Sequence, residues 1–207
     1  AHRGIGVEEA LWGEALRVAR ESGLRTAQTW TLHRPGAQGH RLESPTGWGS
    51  VPADDPQVVF LLAHGFELGQ VERTSAYDLS ADPDPIARRF TDAVAFAGTD
   101  YRLVTWTSPT PERLMDGFAN VISRMSTDAP QGGTLVEEEH WDAARVRRRD
   151  ARLAAQGLTV SVAAVEHVPT GALVAYNELT VGAEPGAVTQ QYGTLVLREH
   201  RGHRLGM

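Results

Sequence analysis

Apolar residues recur at helical period from Val7 to Ser22. Val7, Leu11, Ala15, Val18 and Ala19 share one face, and Glu8, Glu9, Glu14 and Arg17 lie elsewhere. Glu8 and Glu9 fall at the positive end of this helix, and Gly23 stops it. The period then shortens to two. Leu24 to His33 sets Thr26, Gln28, Trp30 and Leu32 on one side and predicts a strand. Arg34 to Pro52 is rich in Gly, Pro and Ser and predicts a loop. Asp55-Pro56 supplies an N-cap and a proline for the first helical turn, and that helix runs to His64, ended by Gly65. Phe66 to Leu79 is strand-like.

A polar break at Ser80 to Pro85 precedes a short amphipathic helix with Ile86, Phe90 and Val94 on one face and Gly98 at its end. Tyr101 to Thr107 predicts a strand. Thr110-Pro111-Glu112 opens a helix to Met125, Ser126 to Gly133 a loop, and Val136 to Gln156 a long helix. Thr159 to His167, Ala172 to Val181 and Val188 to Leu197 predict three strands, the first two joined by the turn Pro169-Thr170-Gly171. Three consecutive strands beside helices imply a mixed α/β sheet rather than an all-parallel one. The organisation reads as residues 1–80, a linker with a short helix at 81–99, and residues 100–207.

Composition narrows the function classes. A formal charge of −6 gives no general pull toward nucleic acid or anionic membrane, and no apolar run reaches the ~20 residues of a membrane helix. Without cysteine there is neither a disulfide framework nor a thiolate metal site. The eight His residues show no ligand spacing, so no metal is expected. The arginines of 145–152 interleave with Glu137, Glu138, Glu139, Asp142 and Asp150, the pattern of a solvated, ion-paired helix face rather than a DNA-binding one. These readings imply a cytoplasmic protein.

The candidate chemistry lies at the two ends. The run Thr194 to Leu197 leads into Arg198-Glu199-His200-Arg201-Gly202-His203-Arg204-Leu205-Gly206, and His2-Arg3-Gly4-Ile5-Gly6 leads into the first helix. A glycine-containing basic turn between strand and helix presents backbone N–H groups to a pyrophosphate. Gly6 and Gly206 lie about 200 positions apart, a spacing suited to one period of a two-domain repeat cut in the same motif at both ends.

These residues resemble the GNAT-type N-acetyltransferases, whose acyl-CoA motif is a strand followed by R/Q-x-x-G-x-G/A. Arg201 to Gly206 fits with one departure, because Arg204 stands where the first motif glycine is usual. Ala63-His64-Gly65-Phe66 looks like the late helix of that family. Arg102 to Trp106, Met125 to Pro130 and Glu199 to His203 look like the actinobacterial tandem acetyltransferases related to mycothiol synthase. The resemblance implies the C-terminal half of one GNAT-like domain followed by the N-terminal half of a second. It also allows a composite, permuted domain in which the strands at Leu24–His33 and Val188–Leu197 splay apart.

The resemblance further implies that acetyl-CoA is the co-substrate and a small-molecule amine the acceptor. Pantetheine would pair with the backbone of Leu195, Val196 and Leu197. Pyrophosphate would sit on Arg201, Gly202, His203, Arg204, Leu205 and Gly206, with Gly4, Ile5 and Gly6 as the corresponding turn of the first domain. Leu61 falls where the family commonly has a tyrosine acid, and Glu178 is the candidate base on a strand. The expected activity is N-acetyl transfer in the intact protein, with this fragment itself inactive. The alternative is a non-catalytic acyl-CoA-binding or scaffold module.

Overall fold

The computed structural model describes residues 6–34, 36, 38–78, 80–129, 132–134, 136–184 and 186–206. The chain divides into two compact units, Ala1–Glu72 with Gly132–Thr134, and Arg73–Gln131 with Leu135–Met207.

In the first unit, helix α1 (Val7–Glu21) starts after Gly6, whose left-handed backbone turns the chain into it. The hairpin strands β1 (Arg41–Glu43) and β2 (Ser50–Pro52) pair antiparallel within the glycine-rich stretch that the sequence reads as loop. Helix α2 (Pro56–Ala63) begins where expected, because the Asp55 carboxylate accepts the Gln57 N–H at 2.8 Å and Pro56 needs no donor partner. Trp12 of α1 packs on His64 and Phe66, and His64 Nε2 lies 2.9 Å from Glu9.

Two expected strands, Leu24–His33 and Phe66–Leu79, do not form among the described residues, which leave out Leu79. Residues 24–33 and 66–78 belong to neither sheet of the described residues. A period-two pattern records what a strand's faces would meet but supplies no ladder partner. In 24–33 the intended apolar face stands open, with Trp30 84% and Leu32 89% exposed. The composite, permuted arrangement needs a strand at Leu24–His33, and that segment forms none.

In the second unit, helix α3 (Asp84–Ala97) precedes strand β3 (Tyr101–Thr107). A 3-10 turn at Glu112–Leu114 leads into α4 (Met115–Ser123) and the short α5 (Met125–Asp128). Helix α6 (Ala143–Ala155) is followed by β4 (Thr159–His167), β5 (Ala172–Val181) and β6 (Gln190–Val196). The four strands form one antiparallel meander in the order β3-β4-β5-β6.

Helix α6 is shorter than its apolar pattern suggests. The N–H groups of Glu139 and Trp141 donate to the hydroxyls of Ser126 and Ser123, which holds residues 136–142 extended, and Asp142 then caps the helix through the Arg145 N–H.

The core lies between α4, α6 and one face of this sheet. Phe118 and Val121 of α4, Val146 of α6, and Val160 and Ala164 of β4 are fully buried there. Phe118 meets Trp106 and Tyr176 edge-on, at 5.1 and 5.5 Å. Gly193 lets β6 close over Tyr176, because a Cβ at that position would lie 2.6 Å from the tyrosine hydroxyl. The glycine thus fixes the strand that carries the candidate site.

Candidate functional site

Strand β6 is the last strand of the sheet, paired with β5 on one side through Ala175↔Val196, Tyr176↔Leu195 and Asn177↔Thr194. The Leu197 N–H donates to Val174 O at 2.9 Å. Successive amides of an antiparallel strand point to opposite sides. Leu195 and Leu197 therefore direct their N–H groups into the sheet, and Val196 directs its own to the outer edge. Of the three predicted pantetheine contacts, Val196 is the residue whose backbone faces outward. Its carbonyl accepts from Arg201 Nε at 3.1 Å.

After β6 the chain makes a 3-10 turn at Arg198–His200 and enters the loop. Gly202 adopts φ 86° and Arg204 φ 59°, both left-handed. Arg204 occupies the position where the motif favours glycine, and its backbone takes the conformation that explains the preference. Its guanidinium lies over the Phe96 ring of α3 at 4.7 Å. Leu205 packs against the core of the unit and anchors the far end of the loop. His203 stacks against Tyr101, the first residue of β3, at 5.1 Å. Gly6 sits at the N-terminus of α1, whereas Gly4 and Ile5 lie outside the described residues.

Tyr101 gathers two further imidazoles. Its hydroxyl lies 3.1 Å from His200 Nδ1, and the ring of His167 approaches both Tyr101 and His200. Burial, followed by the neighbouring His167, holds the His200 pKa below the usual imidazole range. Among the described residues no group of three His, Cys, Asp or Glu side chains is placed to hold a metal ion.

Glu178 sits at the irregularity where β5 and β6 slip register, on the face of the sheet covered by α6. It is buried, and its carboxylate accepts from Arg149 Nη2 at 2.7 Å. Arg149 Nη1 is also buried, without a hydrogen-bond acceptor and 4.0 Å from Asp150. Asp150 in turn accepts the Thr110 N–H at 2.7 Å. Burial, then the Glu178 charge, pushes the Tyr176 hydroxyl above the ordinary phenol range. This polar cluster ties α6 to β5 and, through Thr110, to the loop that follows β3. Leu61 lies on α2 and offers no proton.

Arg124, Asp128 and Tyr101 hold the start of the loop, a role that neither the strand pattern at Tyr101 nor the Met125–Pro130 resemblance assigns to them. Arg124 and Asp128 do carry a local signal, being four apart on one helical turn, where their side chains meet at 2.9 Å.

No protein-family model matches this sequence, and no curated protein matches it. Among solved structures the chain is similar to a tandem GNAT protein from the clavulanic acid biosynthesis pathway, solved without AcCoA. The match has 24% identity and a TM-score of 0.52, over 99% of this chain and 55% of that one. The chain thus spans about half the length of that tandem protein. No helix among the described residues is long and apolar enough to cross a membrane. The chain has a mixed α/β, GNAT-like fold.

Proposed function

We propose that this chain is part of an acyl-CoA-dependent N-acetyltransferase, with acetyl-CoA held along the outer edge of β6 and over the 201–206 loop. One observation carries the reading. An edge strand with an outward Val196 amide runs directly into a turn with left-handed backbone at Gly202 and Arg204. Such a turn lets successive N–H groups converge on an anion, and the strand edge offers the donors and acceptors that an extended amide chain such as pantetheine pairs with. The GNAT-like fold supports it, and the resemblance of Met125–Pro130 and Glu199–His203 to actinobacterial tandem acetyltransferases points the same way.

The reaction is direct acyl transfer. An amine nitrogen attacks the thioester carbonyl carbon, the C–S bond breaks as the C–N bond forms, and the proton lost by the amine goes to the departing thiolate. Backbone donors along β6 would stabilise the oxyanion. The acceptor is a small-molecule amine.

A second reading, a non-catalytic acyl-CoA-binding module, is favoured by two details. Leu61 stands at the family's acid position, and the Glu178 carboxylate is already engaged by Arg149. That pairing suits an anchor between β5 and α6 better than a base facing an amine. Release of free thiol from acetyl-CoA in the presence of amines, measured on the intact protein, separates the two readings.

Binding itself is tested by thermal melts. A ligand that prefers the folded state stabilises it by about 2.7 kcal/mol at a hundred times its Kd. Acetyl-CoA should raise the midpoint and adenosine should not. An unchanged midpoint with both ligands contradicts the proposal.

A further inference from the structure

Asp128 ends α5, inside the Met125–Pro130 motif that the reading above leaves without a task. Its side chain is 5% exposed, and both oxygens are engaged. Arg124 donates to Oδ1 and Oδ2 at 2.9–3.2 Å. Oδ2 also accepts the N–H of Arg198, two residues beyond β6, at 3.1 Å. The same Arg124 reaches Glu199 at 3.1 Å. The main-chain carbonyl of Asp128 accepts from Arg201 Nη2 at 2.6 Å, while Arg201 Nε holds the Val196 carbonyl. The turn from Arg198 to Arg201 therefore hangs from one buried aspartate.

Two consequences follow from these contacts. The Arg201 guanidinium, folded back on two carbonyls, acts as a brace for the loop. The direction in which the chain leaves β6, and hence the aim of the amides from Gly202 to Gly206, is set by charge-assisted bonds that fix geometry as well as energy.

We infer that Asp128 is a positioning residue for the acyl-CoA loop, joining the end of the α4–α5 segment to the pyrophosphate turn without touching the ligand. The inference rests on the proposed acyl-CoA site. Its signature is selective. Releasing Asp128 loosens the turn that would hold pyrophosphate but leaves the β6 edge, which would hold pantetheine, paired to β5 as before.

The test measures the affinities of CoA and of pantetheine for the wild-type chain, Asp128→Asn and Glu199→Gln. Asparagine keeps the size of the side chain and one acceptor for the Arg198 N–H, but loses the charge and the second acceptor for Arg124. Losing the charge-assisted bond to Arg124, whose guanidinium is partly exposed and also held by Glu199, should lower CoA affinity by about tenfold at most. Pantetheine affinity should stay within about twofold, because the pairing of β6 with β5 and the outward Val196 N–H do not depend on the Asp128 carboxylate. Glu199→Gln, at an exposed position, should shift the ratio of the two affinities in the same direction and less.

Equal loss of both ligands in Asp128→Asn, or no loss of either, overturns the inference. If Asp128→Asn does not fold, an unchanged ratio in Glu199→Gln overturns it. Failure of the wild-type chain to bind either ligand refutes the acyl-CoA reading itself, which separates that failure from the failure of the Asp128 role.

Discussion

Arg204 holds a left-handed backbone with a full side chain, a conformation that costs an L-residue roughly 1–2 kcal/mol relative to glycine. The stacking of its guanidinium over Phe96 returns part of that, about 0.5–1 kcal/mol at an exposed site. The two terms oppose each other, so Arg204→Gly should change stability by no more than about 1.5 kcal/mol. Phe96→Leu removes the stacking and leaves the strain, and should destabilise by about 0.5–1 kcal/mol. In the Arg204→Gly background the same Phe96→Leu change should cost clearly less. Urea unfolding of the four proteins measures this coupling. Strict additivity would show that the ring and the guanidinium do not interact. The sequence marks Arg204 as the departure from the motif. It does not reveal Phe96 as its partner, because that contact joins residues more than a hundred positions apart across two elements.

Elements form where local pattern and tertiary partner agree. The patterns of Tyr101–Thr107, Thr159–His167 and Ala172–Val181 give the strand bounds residue for residue, because each strand packs on the core and pairs with a neighbour along nearly all of its length. The alternation of Leu24–His33 is just as regular, yet no described strand pairs with it. The β1–β2 hairpin is missed for the opposite reason. Its three-residue strands are too short to show a period, and the intervening glycines and proline read as loop. The support of the loop is likewise invisible in the sequence, since Asp128 and the Arg198 amide meet across 70 residues.

The junction of β3, β4 and the loop also carries a pH response. Tyr101 of β3, His167 of β4, and Glu199 and His203 beside the turn all face His200. Burial and the other imidazoles lower the His200 pKa in the folded protein, while Glu199 opposes the shift. Above the unfolded value of about 6.5 the ring is neutral in both states and its contribution is complete. As pH falls through the lowered folded value, the unfolded chain takes up the proton first and stability is lost. The His200 contribution, read as the difference in urea midpoint between the wild-type chain and His200→Gln, should therefore shrink between about pH 7.5 and pH 5.5. An identical pH dependence in that variant would remove His200 from the account.

At the scale of the molecule, the GNAT-like fold rests on a similarity that spans nearly all of this chain and just over half of a tandem protein. The mixed α/β class follows from the order of sequence patterns alone, because three successive strands beside helices leave few arrangements. The site is less legible. The motif locates the loop, and the structure adds which amide of β6 faces outward and what holds the turn. The proposed acyl-CoA site joins the β6 edge to the 201–206 loop. Amide-resolved NMR of the chain titrated with acetyl-CoA tests it most directly, with adenosine as the control. Saturable shifts are expected at Val196 and from Gly202 to Gly206 with acetyl-CoA, and none there with adenosine. Shifts confined to other residues, or none at saturating ligand, would contradict it.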